Sequence, residues 1–253
     1  MIGSARGRGR RRRWIAAAAG ALLVISAAAL GFVLKDQSTT FSARAPGERP
    51  ELLLLTSLPI VFPEQFTLEG SKSPALAALQ TRYTVVPVST ADTRSLDGRR
   101  LLLMAQPQAQ PAEVLVELDR WVRNGGHVLL LADPALARPS ERPLGDIFRP
   151  PTAFADTGLL AHWGLRLDSP DEPGARSLEV DGREIRTLSP GRFVATGGNC
   201  SLLSGGFVAR CRVGEGSVSA VADADFLDLP DGERANQAGN LDLLLAELAR
   251  LER

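Results

Sequence analysis

The sequence predicts an α/β fold: a mainly parallel sheet covered by helices, with an antiparallel hairpin insertion, preceded by one transmembrane helix. Three observations carry this. "ELLLLTS" (51–57), "YTVVPV" (83–88), "RLLLMAQ" (100–106) and "HVLLLAD" (127–133) are short, near-continuous apolar runs, the pattern of strands buried on both faces. Helix-periodic segments separate them, and strand, helix, strand in alternation implies right-handed crossovers and a parallel sheet. From about residue 165 the pattern changes to short alternating arms split by glycine pairs.

The elements follow in order. After the first run, Ser73 stands where a helix cap is expected and Pro74 at the first helical position, with Leu76 and Leu79 supplying an apolar stripe. Pro111 opens a second helix, whose Val114, Leu115, Leu118, Trp121 and Val122 trace one face. Asn124-Gly125-Gly126 stops it. "TGLLAHWG" (157–164) reads as a short helix ending at Gly164. "SLEVDGREIRTL" (177–188) is a hairpin turning at Asp181-Gly182. Residues 193–226 continue as short strands, the last at 217–222, so the insertion is expected over about 165–213. "NLDLLLAELARL" closes the chain as an amphipathic helix with Asn240 as its cap.

Ahead of the sheet, residues 14–34 contain no charge, and 21 residues at about 1.5 Å each cross a hydrocarbon core of about 30 Å. Arg6, Arg8, Arg10, Arg11, Arg12 and Arg13 lie on one flank only. That places residues 1–13 in the cytoplasm, 14–34 as a single-pass anchor in the cytoplasmic (inner) membrane, 35–50 as a polar linker, and 51–253 as an exported domain. The competing readings are a cleaved signal, with "ARA" at 43–45 as its site, a poorly matched twin-arginine signal, and a buried helix. Six of the 29 basic residues precede Trp14, which leaves 23 against 29 acidic ones, a net of −6. An acidic body argues against a nucleic-acid partner.

Cys200 and Cys211 lie symmetrically about Gly205-Gly206, so a hairpin turning there sets them opposite each other. A strict two-residue turn would make them a hydrogen-bonded pair with Cα atoms about 5.5 Å apart. A disulfide is the expectation, free thiols the alternative, and two cysteines without nearby histidines make a poor zinc site.

Chemistry is faint. The turn after the fourth strand carries Asp133-Pro134 and no Ser or Cys nucleophile, and only His127 and His162 are available as bases. "GEGS" (214–217) has too few glycines for a phosphate loop. No catalytic residue and no cofactor is assigned. The candidate ligand-binding residues are Asp133, ending one strand, and Asp223 and Asp225, ending another. If those strands are neighbours, the carboxylates converge and can hold Mg²⁺ or Ca²⁺. The alternative is that each one pins a turn through its side-chain oxygens.

"PAEVLVELDRWVRNGGHVLLLADP", "GEGSVSAVADADFLD" followed by "GNLDLLLAELARL", and "SPALAALQTRYTVVPVS" together resemble auxiliary components of ABC-type transport and gliding-motility systems, in the same order along the chain. The resemblance implies a glutamine-amidotransferase-like or flavodoxin-like sheet without the catalytic Cys–His pair, anchored beside a transporter permease or ATPase-associated subunit. Matched to that pattern, Asn124, Gly125, Gly126, Asp133, Asp223, Asp225, Phe226 and Asn240 take fold-defining roles, not catalytic ones. This sequence departs from the family in lacking a second apolar segment near the C-terminus and in its shorter exported region. The expectation is a non-enzymatic, membrane-anchored accessory protein binding a protein partner or a glycan-like ligand. The rivals are an exported metal-dependent hydrolase using the three aspartates and a purely structural envelope module.

Overall fold

The structure, a computed structural model, describes residues 41–62, 64, 73–227, 229 and 237–253. The basic tail 1–13, the apolar run 14–34 and the start of the linker lie outside the described residues, as does most of the loop after the first strand. Among the described residues no helix is long and apolar enough to cross a membrane.

The fold is α/β, built on a mixed and mostly parallel sheet. Its strands and helices run β1 (Glu51–Thr56), α1 (Pro74–Gln80), β2 (Thr84–Val88), α2 (Thr93–Leu96), β3 (Leu101–Ala105), α3 (Ala112–Arg123) and β4 (His127–Leu131). Then come α4 (Leu159–His162), β5 (Leu165–Asp168), β6 (Ala175–Val180), β7 (Arg183–Leu188), β8 (Arg192–Ala195), β9 (Asn199–Leu203), β10 (Val208–Val213), β11 (Gly216–Val221) and α5 (Ala238–Leu251). The seven-stranded sheet has the order β2-β1-β3-β4-β11-β10-β9. The first five of these are mutually parallel, and β10 runs antiparallel to both its neighbours, β11 and β9.

Continuous apolar runs become central strands because both sheet faces are covered. Leu52 and Leu54 of β1, with Leu129 and Leu131 of β4, pack under α1 and α5. Leu53, Leu55, Val128 and Leu130 face the other way, under α2, α3 and α4. A leucine taken fully out of water at these positions contributes about 2 kcal/mol, an upper figure given a compact unfolded chain. Helix α3 buries Val114, Leu118 and Val122, with Leu115 and Trp121 half-buried beside them. It stops at Asn124, and Gly125 follows at φ +99°, the left-handed conformation that glycine tolerates.

The second half divides differently from the expected insertion over 165–213. β5 pairs with β8, and β6 with β7, as two separate two-stranded sheets. β9 and β10 return to the main sheet, because β10 presents Val208 to one core and Ala209 and Cys211 to the other. The hairpin at Asp181-Gly182 is present as expected, with both turn residues at positive φ (48° and 78°). Cys200 and Cys211 are disulfide-bonded, with Cα atoms 4.0 Å apart. The turn between their strands is four residues long, since Leu203 pairs with Val208. That changes the parity, and the cysteines occupy the closer, non-hydrogen-bonded kind of pair rather than the expected one.

Two expected caps are absent. Ser73 precedes α1 without a side-chain cap bond. Asn240 lies inside α5, where its side chain turns sideways to β7: Oδ1 accepts from Arg186 N (2.9 Å), and Nδ2 donates to Arg186 O (2.8 Å) and Phe226 O (2.7 Å). The backbone N–H and C=O of the packed hairpin outcompete the helix's own first turn for this amide. A cap the sequence reading missed is Asp92, which accepts from Ser95 N (2.8 Å) at the start of α2.

Candidate functional site

Parallel pairing of β4 with β11 brings the ends of both strands to the same rim of the sheet, where ligands bind in open α/β folds. Asp133, Asp223 and Asp225 therefore converge, as their positions predicted. One oxygen of each lies within 4.8 Å of the others, and all three residues are buried.

Each carboxylate is oriented by backbone amides. Asp133 Oδ1 accepts from Ala135 N (2.8 Å), and Oδ2 accepts from Ala224 N (3.1 Å) and Asp225 N (3.4 Å). Asp225 Oδ2 and Oδ1 accept from Ala137 N (2.7 Å) and Arg138 N (3.0 Å). Asp223 Oδ1 accepts from Phe226 N (2.9 Å). Five of the six oxygens thus accept from backbone amides: Asp133 Oδ2 and both Asp225 oxygens hold the turn after β4 to the turn after β11, and the other two shape their own turns. The sixth, Asp223 Oδ2, is buried against Thr187 of β7, and neither it nor Thr187 Oγ1 closes a hydrogen bond of good geometry.

Burial, and then the charge of Asp225, pushes the Asp133 carboxyl up to about 7. Burial and then Asp133 raise Asp223 well above the usual carboxylate range. Burial also raises Asp225, opposed by its amide bonds and by the Arg138 charge. Three acids this close cannot all ionise without a compensating positive charge.

Gln106, which the sequence reading passed over, braces the rim. Its backbone is left-handed at φ +42°, Oε1 accepts from Asp133 N (2.9 Å), and Nε2 donates to Asp133 O and Pro151 O (3.1 Å each). It ends β3 as Asp133 ends β4, and that shared position is the signal in the sequence. Thr187 carried no signal, because only the docking of the β6–β7 hairpin brings it here. The loop from 134 to 158 closes over the rim. Beside Asp225, Arg138, Leu58 and Ser73, a cavity of about 10 Å³ remains, room for about one water.

The histidines lie elsewhere. His127 begins β4 at the opposite rim, half-buried, with Nδ1 2.8 Å from Ser217 Oγ. Burial, then Arg100 and Arg212, lowers its pKa. His162 is exposed at the end of α4.

No family model matches the chain, and no curated protein does. Among solved structures it is similar to the exo-β-1,4-mannosidase Op5Man5 from Opitutaceae bacterium strain TAV5 (TM-score 0.49, 14% identity), over 79% of this chain and 36% of that one. It is also similar to the mmIFT52 N-terminal domain (TM-score 0.49, 12% identity), over 79% and 97%. A third neighbour is cytoplasmic protein STM1381 from Salmonella typhimurium LT2 (TM-score 0.48, 9% identity), over 78% and 99%. The chain thus spans about a third of the mannosidase's length. At these scores the neighbours carry no argument about activity.

Proposed function

We propose that the chain is a membrane-anchored, non-enzymatic accessory protein of an ABC-type transport or envelope system, whose exported domain binds a partner. The observation that carries this is the state of the rim. Where an enzyme on such a sheet presents reactive groups to a substrate, five of six carboxylate oxygens here accept from backbone amides, three of them fastening one turn to the other. The cavity beside them holds about one water, too little for a substrate group. On this reading the sheet belongs with amidotransferase-like or flavodoxin-like folds, and the apolar run 14–34 is the anchor. Contact surface is available on the loop over the rim, where Leu144, Ile147 and Phe148 are 86%, 76% and 66% exposed.

The test is affinity capture of the tagged full-length chain from detergent-solubilised membranes. Permease or ATPase-associated subunits are the expected co-purifying proteins, and Ile147→Asp with Phe148→Asp reduces their recovery. Repeated capture without them counts against the reading.

The rival, a metal-dependent hydrolase, is favoured by the convergence of the three aspartates. It predicts metal-dependent turnover of chromogenic esters or glycosides that disappears in Asp225→Asn.

A further inference from the structure

Buried carboxylates at this spacing need a positive partner, and the rim has the makings of one. An oxygen that accepts one amide N–H keeps a second lone pair, so the backbone bonds aim the carboxylates without exhausting them. Two further oxygens are buried, Asp223 Oδ2 and Thr187 Oγ1 from a different element; they face each other, but at a geometry too poor for a good hydrogen bond. Thr187 reaches the cluster from β7, outside the two turns that supply the acids, and it faces Asp223. A hydroxyl and a carboxylate oxygen left open side by side in a dry interior are what a hard cation uses.

We propose that Asp133, Asp223 and Asp225, with Thr187 Oγ1, form a structural Ca²⁺ site that joins the turn after β4, the turn after β11 and the β6–β7 hairpin. Coordination geometry selects the ion: Ca²⁺ takes six to eight oxygens at about 2.3–2.6 Å in flexible arrangements, while Mg²⁺ demands a near-ideal octahedron at about 2.0–2.1 Å. One oxygen of each acid lies within 4.8 Å of the others, and oxygens supplied by three separate segments form the irregular set that Ca²⁺ accepts and the strict octahedron of Mg²⁺ does not. The ion would fix the rim in shape, and that role is independent of whether the domain binds a partner or turns over a substrate.

The experiment uses the full-length chain in detergent, stripped with EGTA and heated while tryptophan fluorescence is followed; buried Trp163 is one reporter. Calcium chloride at a hundredfold its dissociation constant is expected to raise Tm by roughly 5–10 °C. Calorimetric titration is expected to give one site per chain. Asp223→Asn keeps an acceptor for Phe226 N and gains a donor for Thr187, so it folds, with an EGTA-state Tm at or above that of the parent, and it loses the calcium shift. Thr187→Val, nearly the same shape, is expected to weaken calcium binding about tenfold. Absence of a calcium shift in the parent, or an equal shift in Asp223→Asn, overturns the site. A magnesium shift as large as the calcium shift overturns the assignment of the ion.

Discussion

Replacing Asn240 discriminates between a helix cap and a clamp. The side chain is fully buried and serves three backbone groups: the Arg186 amide, the Arg186 carbonyl and the Phe226 carbonyl. Asn240→Ala leaves all three without this partner. A buried polar group stripped of its hydrogen bond costs about 1–3 kcal/mol, and two to three such losses, partly relaxed, give about 3–5 kcal/mol. At 2–4 °C per kcal/mol for a domain of this size, Tm falls by about 10–15 °C. Asn240→Asp is the sharper variant. As an N-cap, aspartate replaces asparagine freely. As a clamp, it keeps the acceptor for Arg186 N but sets a carboxylate against two carbonyls, so it loses at least as much as alanine. Urea unfolding followed by tryptophan fluorescence, with unchanged m-values, reads both. Asn240→Asp within about 0.5 kcal/mol of the parent would refute the clamp.

Three further outcomes follow from the geometry. In calcium-free protein Asp133, raised to about 7, binds a proton that the unfolded chain has released, so its stabilisation is complete below about pH 4 and lost as pH rises towards 7. Unfolding free energy should fall across that window, by about 1.4 kcal/mol per unit of raised pKa, and Asp133→Asn should lessen the fall while Asp223 and Asp225, also raised, keep part of it. Glu247, fully buried, accepts from Arg210 Nη2 (2.5 Å) and Nε (3.1 Å) and from Ser219 Oγ (2.7 Å). Glu247→Ala should cost about 1–3 kcal/mol, since Arg210 loses its bidentate partner and Ser219 its acceptor while the Asp181 pair remains, and Glu247→Met should recover part of it, both measured in urea. Converting Cys200 and Cys211 to serine opens a short loop and should cost about 3 kcal/mol, seen as a lower Tm that no longer responds to dithiothreitol.

The sheet was legible because its strands announce themselves. "ELLLLT" and "HVLLL" are apolar at every position or nearly so, which only a strand covered on both faces allows. The hairpin at Asp181-Gly182 and the cysteine pair were legible for a similar local reason: turn chemistry and symmetry within about a dozen residues fix them. What depends on long-range placement was not. Asn240 looks like a cap until the β6–β7 hairpin stands beside it. Gln106 looks like the polar end of a strand until Asp133 arrives. The convergence of the aspartates followed once β4 and β11 were taken as neighbours, but Thr187 gave no local sign of joining them.

The neighbouring position of β4 and β11 also sets a timetable. The Asp133 carboxylate meets the Ala224 amide 91 residues later, and β11, the last strand of the domain, is an interior strand of the sheet. A nascent chain carrying only β1 to β4 has a bare flank where its central partner belongs, so the domain cannot close until almost all of it has emerged. Until β11 arrives, the open backbone edge of β4 is a template on which a strand of another chain can pair.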